Sequence, residues 1–142
     1  MALLSAIALV QPLRAQTPDT AGAARLLIQP SSQKWVYRET LSFRGDTECT
    51  QGENWRFRSG GRLDVVRCID GHLVSSAHRW SIRSASPIDL DMDVTGGDSD
   101  RFPFLGTYRL LFRDDGKAMV LRRMPSSKSG AFEDLTFRRA AR

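Results

Sequence analysis

Five aspartates crowd one stretch of this sequence: Asp89, Asp91 and Asp93, then Asp98 and Asp100. Carboxylates at that density are what a calcium site needs, because the ion is held by oxygen ligands alone. An EF-hand loop also needs Gly at its sixth position and Glu at its twelfth. Counted from Asp89, Val94 and Asp100 stand there, and the GGDSD that follows is too short for a calcium repeat. Ile88, Leu90, Met92 and Val94 alternate with the aspartates, as in a strand. The carboxylates therefore read as a solvated strand face meeting arginines across a sheet, with Arg79 and Arg83, or Arg109 and Arg113, as partners.

The remaining chemical side chains are sparse. His72 and His78 are too far apart on a strand to chelate one metal and read as surface histidines. The many serines include no GxSxG elbow and no Ser, His and Asp set in recognisable context. No phosphate-binding glycine loop is present, so neither enzymatic activity nor a cofactor is expected. Cys49 and Cys68, the only cysteines, lack the clustered His needed for a tetrahedral metal shell. They read as a disulfide. With Gly60 and Gly61 in a hairpin turn, position 68 pairs near positions 52 and 53. Cys49 is then reachable if the chain turns at Gly52, and closing that loop contributes about 3 kcal/mol.

ENWRFRSGGRLDVVRC, residues 53–68, mixes aromatics with arginines and raises nucleic-acid binding as a question. The formal net charge of +5 allows it. A single-strand platform needs stacking rings and cations on one exposed face. Here Trp55 and Phe57 alternate with Asn54, Arg56 and Arg58, which places them on opposite faces. Acidic residues are interspersed with the basic ones along the chain, and no RNP-type motif appears. No nucleic-acid partner is expected.

These residues must be held by elements, and from residue 33 the hydrophobic period is two. Trp35, Tyr37, Leu41 and Phe43 share a face, with Glu39 as the interruption. The hairpin around Gly60-Gly61, the segment 72–83, the aspartate strand, a hairpin turning at Asp115-Gly116 and a closing strand AFEDLTFRR follow. About eight short strands in meander order, without a helical period, predict an all-β fold: a single small antiparallel up-and-down β-barrel. Eight strands leave an interior that side chains fill or that holds one small ligand.

Residues 1–15, MALLSAIALVQPLRA, have the apolar run and cleavage end of a secretory signal peptide. Ala2–Val10 is far shorter than the roughly 20 residues of a membrane span. No Lys or Arg precedes the run, as expected if Met1 is an internal start that clips the positive region. No lipobox cysteine follows it, so lipid anchoring is not expected. The protein is therefore expected outside the cytoplasm, periplasmic or secreted. Residues 16–32 read as a linker or N-terminal arm, in which Leu26, Leu27 and Ile28 tuck against the body as a short helical or extended piece. Residues 33–142 form the barrel.

Trp35 on the first strand, the up-and-down run of strands, and Arg138 after an apolar pair in the last strand together resemble the small bacterial lipocalin-like domains of the calycin superfamily. The resemblance implies that Trp35 and Arg138 form the barrel-closing pair, a cation–π contact, with Arg139 as the alternative register. The family's Gly two residues before the Trp is replaced by Gln33. The resemblance also implies a carrier of a small apolar ligand, whose cup would be lined by Trp55, Phe57, Trp80, Met92, Tyr108, Phe112 and Met119 unless those side chains fill it. A second architectural resemblance is to bacterial inhibitors of secreted metalloproteases, small barrels with one disulfide that insert an N-terminal arm into the protease. It would make Gln16–Ser32 the arm, with Ser31 and Ser32 at its junction. A third reading is an envelope interaction module with a protein partner and no pocket.

Overall fold

The computed structural model describes residues 18–37, 53–70, 72–97, 102–124 and 134–140. The expected signal segment, Leu41, Phe43, Cys49, Asp98 and Asp100 lie outside these residues. Eight strands close into one antiparallel barrel in sequence order: β1 (Trp35–Tyr37), β2 (Glu53–Arg58), β3 (Arg62–Ile69), β4 (His72–Ser86), β5 (Asp89–Thr95), β6 (Gly106–Arg113), β7 (Ala118–Arg123) and β8 (Asp134–Arg139). The first strand pairs with both the second and the last, so the sheet has no free edge there.

Alternation decides which side chains enter. Trp55 and Phe57 on β2, Leu63 and Val65 on β3, Met92 and Val94 on β5, Tyr108 and Leu110 on β6, and Leu135 and Phe137 on β8 are buried. β4, 15 residues long, pairs with β3 along its first part and with β5 along its second, with a register shift between Ser84 and Ser86. Ile88, expected on the inner face, is 72% exposed. It falls in the turn Pro87–Ile88 between β4 and β5, where the strand period no longer applies.

One end of the barrel is covered by helix α1 (Thr20–Ile28). Asp19 caps it by accepting from the Gly22 backbone N–H at 2.7 Å. Ala23 and Leu27, one turn apart, are its fully buried residues. The same end carries the turn Asp114–Asp115–Gly116, where all three residues have positive φ. A Cβ on Gly116 would lie 3.0 Å from the Leu26 side chain, so glycine lets this turn rest against the helix. The opposite end holds the β3–β4 turn and the segment after β5. No described helix is long and apolar enough to cross a membrane.

Candidate functional site

The helix end is sealed by an arginine on a tryptophan. Arg139 lies over the Trp35 ring at 5.2 Å and donates to the Leu26 carbonyl at 2.6 Å. Trp35 in turn donates its indole N–H to the Leu27 carbonyl at 3.1 Å. The closing residue is thus Arg139 and not Arg138. The β1–β8 register pairs Trp35 with Arg139 and Val36 with Arg138, and only the first pair points inward. Arg138 faces outward and bonds Asp114 at 3.2 Å. Burial pushes the Arg139 pKa down, the sense expected for a desolvated cation.

The side chains expected to line an apolar cup fill much of the interior. Trp55, Phe57, Met92, Tyr108 and Met119 are at most 1% exposed, so almost no water-sized void touches them. Trp55 packs on Phe137 at a centroid distance of 4.7 Å and on Phe102 at 5.6 Å. Phe57 meets Trp80 edge-on at 5.4 Å, and the Trp80 N–H is satisfied by the Arg58 and Arg62 carbonyls. Phe112 is half-buried and borders a groove of about 480 Å3 outside this packed layer, beside Leu26, Ile88 and Leu110.

At the other end the inward face turns polar. Arg67 on β3 and Ser76 and His78 on β4, with Ile69, Val74 and Phe102, line a pocket of about 210 Å3. Glu53 at the start of β2 accepts from the Trp55 indole at 2.6 Å and from Arg67 Nε at 3.0 Å. The ion pair keeps Arg67 at the mouth, where its guanidinium also lies over the Phe104 ring at 5.2 Å.

His78 is held on every side. Its Nδ1 is 2.8 Å from the Gly96 carbonyl and its Nε2 is 2.7 Å from Ser76 Oγ. A carbonyl oxygen only accepts, so Nδ1 carries the proton; in the neutral ring Nε2 then accepts from the Ser76 hydroxyl. Phe102 stacks on the imidazole at 3.9 Å and 23°. A Cβ on Gly97 would lie 2.7 Å from Nδ1, so only glycine lets the backbone pass there. His78, expected at the surface, is 3% exposed, whereas His72 is exposed. The overlooked signal was a Ser-x-His step in register with Val74 and Trp80, whose inward period carries both polar side chains inside.

The aspartates meet arginines across the sheet as expected, but the face is not solvated throughout: Asp91, enclosed by its arginine partners, is only 8% exposed. Arg109 bonds Asp91 at 2.8 Å and Asp89 at 3.0 Å, and Arg83 approaches Asp91 and Asp93. The hydrogen bond to Asp91 raises the Arg109 pKa against the opposing effect of burial. Thr107 donates to Asp93 at 2.6 Å. Arg83 and Arg109 are, among the described residues, the arginines paired with Asp89, Asp91 and Asp93. Among the described residues no group of His, Cys, Asp and Glu is arranged to hold a metal ion. The expected Cys49–Cys68 pairing involves a residue outside the described set; Cys68 lies on β3, across from Leu73 of β4.

Comparison with protein-family models, with curated proteins and with solved structures finds no match to this chain in any of the three.

Proposed function

We propose that the protein is an exported, lipocalin-like binding barrel that takes a small ligand at its mouth rather than through its middle. The observation that carries this reading is the contrast between the two regions. The central side chains are packed against one another, while Arg67, Ser76 and His78 converge on a pocket with apolar walls of Ile69, Val74 and Phe102. A few placed polar groups on an apolar surface are the usual make-up of a small-molecule site. The tryptophan–arginine closure at the helix end supports the lipocalin-like reading, with Arg139 in the role. Export is supported by the apolar N-terminal run of the sequence. The protease-inhibitor reading has less support, because Ala23 and Leu27 of its arm are fully buried on the barrel.

The test is an NMR titration of the full chain with small aromatic and carboxylate fragments, beside the variant Val74→Trp. Amide shifts are expected around Arg67–Ile69, Val74–His78 and Phe102, and should be lost in Val74→Trp, whose ring occupies the pocket. Shifts confined to Leu90, Leu110 and Phe112 would place the ligand in the other groove and overturn the reading.

A further inference from the structure

We propose that Ser76 is a nucleophile activated by His78, and that the mouth pocket accepts short-chain acyl esters and takes up their acyl group. The inference rests on the mouth being a ligand pocket. Side chains two apart on a strand share a face, about 6.6 Å apart along the strand, which lets a short hydroxyl meet the far nitrogen of an imidazole. In β4 this gives the Ser76 Oγ to His78 Nε2 distance of 2.7 Å. The Gly96 carbonyl, 2.8 Å from Nδ1, fixes the tautomer that leaves the Nε2 lone pair facing the hydroxyl. A nucleophile, a base and a third group that orients the base make up the general arrangement for covalent catalysis. The Phe102 stack and the close passage of Gly97 hold the ring in that orientation.

A serine that only satisfied a buried histidine would itself be enclosed. Ser76 is half-buried and borders the open pocket, so an ester carbonyl entering there meets its oxygen. Ser76 Oγ attacks the carbonyl carbon as its proton passes to His78 Nε2. The tetrahedral intermediate collapses, the bond to the alcohol oxygen breaks, and the Nε2 proton leaves with the alcohol. Water, deprotonated by the same Nε2, then cleaves the acyl-serine to a carboxylic acid and regenerates the hydroxyl. Arg67 also lines the pocket, its charge paired with Glu53, so oxyanion stabilisation is weak. The third group is a carbonyl rather than a carboxylate and gives the imidazolium less support. Deacylation should therefore be slow and the acyl form should accumulate.

The test is the full chain with 4-nitrophenyl acetate, following nitrophenolate release and mapping the adduct by mass spectrometry. A burst comparable to the protein concentration and an acetyl group on Ser76 are expected. Ser76→Ala, with its fold checked by circular dichroism against the unmodified chain, should abolish the burst, and His78→Gln should slow acylation by about 100-fold or more. Acetylation of lysines with Ser76 unmodified would overturn the proposal. 4-Nitroacetanilide, whose amide carbonyl is far less reactive than the ester, serves as the binding probe that separates the two readings, while the adduct is sought with the ester. Amide shifts at the mouth without an adduct on Ser76 overturn the nucleophile and leave the binding pocket; neither shifts nor adduct overturns both.

Discussion

Arg139 concentrates the barrel's closure in one side chain. Its guanidinium stacks on Trp35, reaches the Leu26 carbonyl, and leaves Nε without a hydrogen-bond partner among the described residues. Arg139→Ala removes the stack and leaves a partly buried carbonyl without its donor, so a loss of about 1–3 kcal/mol is expected. Arg138→Ala breaks only an exposed pair with Asp114, whose side chains are 54% and 58% exposed, and should change stability by no more than about 0.5 kcal/mol. Urea midpoints of the two variants decide this, and a larger loss at 138 would mean the register is wrong. Two adjacent arginines look interchangeable in the sequence. The period from Leu135 and Phe137 nevertheless puts position 139, not 138, on the inner face. His78 was missed for a related reason: residue type suggested surface, while its place between Val74 and Trp80 in the period put it inside.

Strand by strand, the barrel was legible because nearly every strand alternates, and a two-residue period leaves little choice of face. Less legible were Ile88, where a turn interrupts the period, and the helical form of the arm, whose signals are only the Asp19 cap and the Ala23–Leu27 step. Between strands, ion pairs on the outer wall tie neighbours together. Partial burial pushes the Asp64 carboxyl up, but hydrogen bonds from Arg62 and Arg58 outweigh this and hold its pKa below the ordinary range. For Asp134 the hydrogen bond from Arg122 is the leading cause, opposed by burial, and again the pKa is lowered. A carboxylate depressed in the folded state stabilises above its unfolded pKa of about 3.9, and that stability is lost as pH falls through the folded value. The stabilisation from these two groups should thus be fully present and constant between pH 5 and 7, and should fall once pH drops below about 4. Asp134→Asn should flatten part of that acid limb, measured as Tm against pH. The effect is small, because the Arg122 and Asp134 side chains are 40% and 39% exposed.

For the whole molecule, the order of strands sets the folding problem. Seven of the eight strand pairings join neighbours in sequence, and the eighth joins β1 to β8. That last seam has three register pairs, Trp35–Arg139, Val36–Arg138 and Tyr37–Phe137. Its brace from Arg139 to Leu26 links residues 113 apart in the chain. The loop entropy for so distant a contact must be met before the contact returns any energy. The hairpins from β2 to β7 can form first, from local pairings, and the seam then closes with α1 seated beneath it. Folding in about milliseconds to seconds is expected for a sheet with this much non-local pairing. Contacts made after the transition state show up in unfolding, not refolding. Arg139→Ala and Leu27→Ala should therefore speed unfolding by about tenfold or more while leaving the refolding rate nearly unchanged. Stopped-flow chevrons on the two variants test this. A refolding rate lowered in proportion to the lost stability would instead place closure in the nucleus, with the helix and the seam organising the barrel from the start.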